Sequence, residues 1–258
     1  MQRKRVQKVA GIYIHIPFCK QRCNYCAFYS STLYNIQEKY VDALCREIVE
    51  RKEYLNEETI ETIYFGGGTP STLTIAQLQK ICSIVYATYR ISENPEVTIE
   101  CNPDDLTEDF LSVLRTMPFN RISMGIQSFN DEQLKRLGRR HNAEKARQAV
   151  NNARKAGFSN ISIDLMFALP GSTAEEWQND LESAIELKPD HISAYNLMYE
   201  EGTPLYHALQ RGDFRELSEE ENVKQFEMLI ENIKKAGSRH YEISNFPMPG
   251  KESRHNSS

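Results

Sequence analysis

At 258 residues the chain has room for one large core or two modest ones, and 40% hydrophobic with 26% charged residues is an ordinary globular composition. A formal net charge of −5 gives no general pull toward nucleic acid or anionic lipid. No apolar run approaches the roughly 20 residues that span a bilayer. The six cysteines come without a secretory signal, so a reducing, cytoplasmic setting is expected rather than a disulfide framework.

The basic start, with Arg3, Lys4, Arg5 and Lys8, reads as a solvated tail over residues 1–10. Strand and helix signals then alternate. Ile12 to Ile16 reads as a strand ended by Pro17, and Ile36 to Arg51 as a helix with Tyr40, Leu44 and Ile48 on one stripe. Ile60 to Phe65 is strand-like and stops at glycines. Thr74 with Gln77 is a capping box, followed by Leu78, Ile81 and Val85 at helical spacing. Val97 to Glu100 reads as strand, Thr107 to Met117 as helix and Arg121 to Gly125 as strand. Asn130 with Gln133 gives another cap signature, and a helix over Asn142 to Ala156 ends at Gly157. Ile161 to Met166 is strand, Thr173 and Glu176 cap the next helix, and Pro189 closes it. His191 to Asn196 is a sixth strand, and Ser218 with Glu221 caps a long helix ending at Lys235-Ala236-Gly237.

Six such units in succession predict an α/β fold with parallel strands and helices outside. Chemistry in such folds collects at the carboxyl ends of the strands. The informative motifs fall there. Cys19-Lys20-Gln21-Arg22-Cys23-Asn24-Tyr25-Cys26 sets three thiols in one short loop after the first strand. Three thiolates leave one iron of a 4Fe–4S cluster open to a small molecule. A zinc site with His15 as fourth ligand is the competing reading. Gly66-Gly67-Gly68-Thr69-Pro70 follows the second strand and lets a ligand approach the backbone, although a tight turn alone would use the same residues. Cys45, Cys82 and Cys101 show no pairing pattern and read as inert core thiols, and Trp177 reads as core.

The cysteine triplet followed by Gly-Gly-Gly-Thr-Pro resembles the radical S-adenosylmethionine (SAM) superfamily. Tyr13-Ile14-His15-Ile16-Pro17-Phe18-Cys19, Gly125-Ile126-Gln127-Ser128-Phe129 and His240-Tyr241-Glu242-Ile243-Ser244-Asn245-Phe246 narrow it to the coproporphyrinogen III dehydrogenase and haem chaperone (HemN/HemW) branch. The resemblance runs from about Gly11 to Asn256. It implies a partial (βα)6 barrel over residues 11–200, with 201–258 a helical extension and the start of a further domain.

The resemblance also implies a 4Fe–4S cluster on Cys19, Cys23 and Cys26, with SAM at its open iron. Gly67 matches a contact to that SAM, and Gly68 and Thr69 match contacts to a second SAM. Glu100 matches an acceptor for ribose hydroxyls, with a surface salt bridge as the plain alternative. Tyr13, Tyr25, Gln127, Arg139, Asp164 and Met198 fall on matching ligand positions. Coproporphyrinogen dehydrogenases carry a further cysteine where this chain has Phe28, and a long segment before the cluster that is short here; both departures favour the haem chaperones. In that branch a His-Asn-x-x-Tyr-Trp segment is associated with haem; His255 and Asn256 are present and Tyr-Trp is not, as expected of a C-terminally truncated chain. The expected partners are haem, a haem acceptor protein and an electron donor such as flavodoxin or ferredoxin. The alternatives are oxygen-independent coproporphyrinogen III dehydrogenase and a non-catalytic metal-binding module.

Overall fold

The computed structural model describes residues 9–55 and 58–257. The basic residues of the expected tail lie outside that range, and Val9 and Ala10 already belong to the first strand. One sheet carries the strands in sequence order: β1 (Val9–Ile16), β2 (Thr59–Gly67), β3 (Ile91–Cys101), β4 (Arg121–Gln127), β5 (Ile161–Phe167), β6 (His191–Asn196) and β7 (Asn245–Pro247). The first six are parallel, and β7 runs antiparallel to β6. β1 and β7 are its two edges, so the described sheet is a part-barrel and not a closed one.

The helices are α1 (Gln37–Glu50), α2 (Ile75–Thr88), α3 (Glu108–Leu114), α4 (Asp131–Arg136), α5 (Ala143–Lys155), α6 (Ala174–Glu186), α7 (Pro204–Gln210) and α8 (Glu219–Lys235). Their starts are written in the sequence. Thr74, Thr173 and Ser218 each form a full capping box, satisfying amide groups that a helix leaves orphaned. The acidic first turn and basic last turn of α8 complement its dipole. Gly157 takes φ +93 just past α5, a conformation glycine reaches without strain.

Alternation along the strands divides the sheet. Ile14, Ile63, Ile99, Ile122, Ile163 and Ile192 point to the convex side and join one core with Val41, Leu78, Leu111, Val150 and Leu181 of the helices. Each such side chain contributes about 1.5–3 kcal/mol by leaving water. The intervening residues face the concave side and are polar or small: Thr62 and Tyr64; Thr98 and Glu100; Arg121 and Ser123; Ser162 and Asp164; His191 and Ser193. Cys45, Cys82 and Cys101 are buried free thiols, and Trp177 is buried with its indole N–H donating to the Gln225 carbonyl (2.8 Å).

Within the expected extension, the segment from Asn245 to His255 returns to the sheet. After β7 the chain crosses the amino-terminal ends of the strands. The Met248 amide donates to the Asp190 carbonyl (2.9 Å), and Lys251 reaches the Ser159 carbonyl (2.7 Å) and Asp190 (3.3 Å). Arg254 then meets Glu61 (2.8 Å) and the Asn94 carbonyl (2.8 Å), and His255 arrives at Thr62 (2.8 Å). This crossing segment floors the part-barrel from the β6 side to the β2 side.

Candidate functional site

The cysteine loop leaves β1 at Pro17 and is closed at its ends. The Ser31 amide donates to the Pro17 carbonyl (2.7 Å), and the Cys19 amide donates to the Ser31 carbonyl (3.0 Å). Its middle is anchored on the turn after α4. The Asn24 amide donates to the Leu137 carbonyl (2.9 Å), and the Asn24 and Gln21 side chains donate to the carbonyls of Arg136 (2.8 Å) and Gly138 (3.0 Å). Cys19, Cys23 and Cys26 are free and partly exposed. Two of their sulfurs already receive donors: Thr69 Oγ1 stands 3.5 Å from Cys19 Sγ, and Arg139 Nη1 stands 3.1 Å from Cys23 Sγ. Burial pushes the Cys26 thiol up.

The glycine turn lies directly on the root of that loop. The Gly68 amide donates to the Ile16 carbonyl (2.9 Å). A methyl group on Gly68 would stand 2.8 Å from the Phe18 carbonyl oxygen. Gly67 has φ +110, and a methyl group there would strike the His15 ring at 2.5 Å. Glycine is therefore required by both the conformation and the space. His15 packs beneath Gly67, and its Nδ1 is 3.3 Å from the Tyr13 hydroxyl.

Glu100 is not the surface ion pair that its plain reading suggested. Its Oε1 accepts from the Tyr64 hydroxyl (2.8 Å) and its Oε2 from the Gly67 amide (3.1 Å). Burial, with the Asp164 charge adding to it, pushes the Glu100 carboxyl up to about 7 against the Tyr64 and Gly67 hydrogen bonds. Asp164 lies on the same concave face with its own carboxyl raised by burial to about 6, near Ser193, Arg121 and Ser123. Gln127 ends β4 at a register shift and takes φ +73, a left-handed conformation that costs a non-glycine residue about 1–3 kcal/mol. Gly125 makes room for it: a methyl group there would meet the Gln127 amide at 2.9 Å and the Arg139 guanidinium at 3.3 Å. Arg139 Nη2 donates to the Gly125 carbonyl (2.5 Å), while its buried Nε has no hydrogen-bond partner among the described residues.

Tyr25 sits beside Cys23 and Arg139, its hydroxyl raised chiefly by burial. It packs on Leu137, Met166, Leu169, Leu197 and Leu205, a small apolar cluster separate from the main core. Tyr13 is 51% and Met198 66% exposed, and Met198 follows β6. His255 is apart from the cysteine loop. It lies on the concave face, its ring 5.0 Å from that of Tyr64 and 6.4 Å from that of Tyr13.

Sequence reasoning passed over two groups. The first is Tyr64, Arg121, Ser123 and Ser193, which surround Glu100 and Asp164; polar residues at every second position of otherwise apolar strands were their signal. The second is Asp105, which binds three loops at once through Lys20 (2.7 Å), Ser71 (2.8 Å) and Arg140 (3.2 Å). No local pattern marks such a residue.

The donor set suits an iron–sulfur cluster better than zinc. Tetrahedral zinc needs its sulfur and nitrogen ligands within about 2.0–2.3 Å of one point. Among the described residues no three of Cys, His, Asp and Glu converge in that way. A cluster distributes its thiolates over several irons, and N–H and O–H donors to the sulfurs tune it.

Comparison with known proteins agrees with this geometry. Residues 13–184 match the model of the Radical SAM superfamily. The haem chaperone HemW of Lactococcus lactis is 39% identical over 251 residues, covering 97% of this chain and 65% of the relative. HemW of Bacillus subtilis is 36% identical over 249 residues, covering 95% and 65%. The structure of coproporphyrinogen III oxidase (HemN) from Escherichia coli, a radical SAM enzyme, superposes with a TM-score of 0.84 at 29% identity, over 95% of this chain and 57% of that one. The chain thus spans about two thirds of the length of these curated relatives at most. With its cysteine triplet, glycine turn and six parallel strands in sequence order, the chain belongs to the radical SAM superfamily.

Proposed function

We propose that this chain is the cluster- and SAM-binding core of a haem chaperone of the HemW kind. The observation that carries the reading is the meeting of three free thiols, two sulfur-directed donors and the Gly67–Glu100 contact at one edge of the sheet. Identity of 39% and 36% to haem chaperones, against 29% to the coproporphyrinogen oxidase, supports the chaperone over the oxidase. Phe28, in place of a further cysteine, points the same way.

In this reading Cys19, Cys23 and Cys26 hold the 4Fe–4S cluster, which in this superfamily supplies an electron for reductive cleavage of SAM. Arg139 donates to the Cys23 sulfur and Thr69 to the Cys19 sulfur, drawing electron density from those ligands. Gly67 would admit the cluster-bound SAM to the backbone, and Gly68 and Thr69 match contacts to a second SAM. Glu100 accepts from ribose hydroxyls, and Gln127, Asp164, Tyr13, Tyr25 and Met198 line the remaining positions. Haem, an acceptor protein and an electron donor are the partners of the whole protein.

Anaerobic reconstitution with iron and sulfide tests the reading. It should give a brown protein with about four irons per chain and SAM binding by equilibrium dialysis, and the whole protein should bind haem without converting coproporphyrinogen III. Conversion of coproporphyrinogen III would overturn the chaperone assignment. A colourless protein whose thiols are saturated by zinc would overturn the cluster.

A further inference from the structure

We propose that His255 is a positioning residue for the SAM site, acting from the floor of the part-barrel through Tyr64 and Glu100 on Gly67. The inference rests on the SAM-binding reading above. It gives His255 a task different from ligating haem.

The contacts form one continuous path. The His255 ring lies nearly parallel to Tyr64, with centroids 5.0 Å apart and planes at 24°. It also lies against Tyr13 at 6.4 Å and 27°, and Tyr13 stacks on Tyr64 at 6.0 Å and 23°. Three rings therefore brace one another across β1 and β2. From Tyr64 the hydroxyl donates to Glu100 Oε1 (2.8 Å), and Glu100 Oε2 accepts the Gly67 amide (3.1 Å). Gly67 opens the turn that carries Thr69 to the Cys19 sulfur.

His255 is itself held from several sides. Its Nδ1 and Thr62 Oγ1 are 2.8 Å apart, and its backbone amide donates to Glu96 Oε1 (3.2 Å). The preceding Arg254 amide donates to Glu96 Oε2 (3.2 Å), and Ser253 is fully buried. Gly11 leaves the space for this: a methyl group there would stand 2.5 Å from Thr62 Oγ1 and 3.2 Å from His255 Nδ1. A ring so placed sets the rotamer of Tyr64, and with it where the Glu100 carboxylate can stand. Burial lowers the basicity of the His255 imidazole, in keeping with a neutral ring packed on tyrosines.

The test measures SAM affinity by equilibrium dialysis on the reconstituted protein, wild type against His255→Ala, His255→Phe and Thr62→Val. Losing the brace should weaken SAM binding about tenfold in His255→Ala, the equivalent of one hydrogen-bonded contact. His255→Phe restores a flat ring on Tyr64 and should recover most of the affinity, whereas a purely global loss of fold would not be rescued in this way. Thr62→Val, which removes the hydroxyl hydrogen-bonded to the imidazole and keeps the shape of the side chain, should give an intermediate loss with the thermal midpoint unchanged. Near-ultraviolet circular dichroism of the apo protein should report the altered tyrosine packing in His255→Ala. Equal SAM affinity in wild type and His255→Ala overturns the proposal. If the wild type itself binds no SAM, the functional reading fails first.

Discussion

Replacing Glu100 by Gln measures what the concave face spends on holding a carboxylate. Burial raises this carboxyl to about 7 from its ordinary 4.5. A rise of that size amounts to roughly 3 kcal/mol. The folded chain binds the Glu100 proton more tightly than the unfolded chain does. Its stabilising contribution is therefore complete below about pH 4.5 and is lost as pH rises through about 7. The neutral acid and the amide each keep one oxygen to accept the Gly67 amide and turn one donor toward the Tyr64 hydroxyl, which can rotate to accept it, so the variant mimics the protonated wild type. At pH 8, Glu100→Gln should be about 3 kcal/mol more stable than wild type, and near pH 4.5 about equal. For a chain of this size the pH 8 gain is roughly 6–12 °C in thermal midpoint. Urea unfolding of the reduced apo protein at several pH values reads it directly. A difference that does not change between pH 5 and 8 would refute the reasoning, because Glu100 would then titrate as it does in the unfolded chain.

Asp105→Ala leaves Lys20 and Arg140 without their shared carboxylate and frees Ser71; it should destabilise the chain by about 3 kcal/mol in urea unfolding and lower iron uptake on reconstitution. Gly67→Ala forces a methyl group into the His15 ring at a positive φ, so roughly 1–3 kcal/mol of stability and most SAM binding should go together. Arg139→Leu removes the donor from the Cys23 sulfur and should leave the iron content near wild type while moving the cluster potential to more negative values, read by spectroelectrochemistry.

Hydrophobic periodicity located the strands, helices and capping boxes of the main alternation, because each has a pattern of its own length. α7 and β7 were not foreseen. α7 has seven residues and one deeply buried side chain, Leu205, and β7 has three residues whose pairing with β6 is purely tertiary. The cysteine loop and glycine turn were legible because their chemistry restricts residue type at fixed spacing. The Tyr64–Glu100–Gly67 contact was not, since residues 64, 100 and 67 meet only when β2 and β3 pair. Glu100 itself could not be separated from a surface ion pair until its burial was known. The return of residues 248–256 beneath the sheet likewise depends on backbone contacts with Asp190 and Asn94 that no sequence spacing encodes.

A barrel packed with aliphatic side chains ties its cohesion to its interior, so every change of cargo disturbs the scaffold. Here the isoleucines all lie on one side and the hydroxyls, carboxylates and imidazoles on the other. Cohesion and recognition are thereby physically decoupled, and substitutions in the hollow can redirect what it accommodates while the helix-clad exterior goes on maintaining the shape.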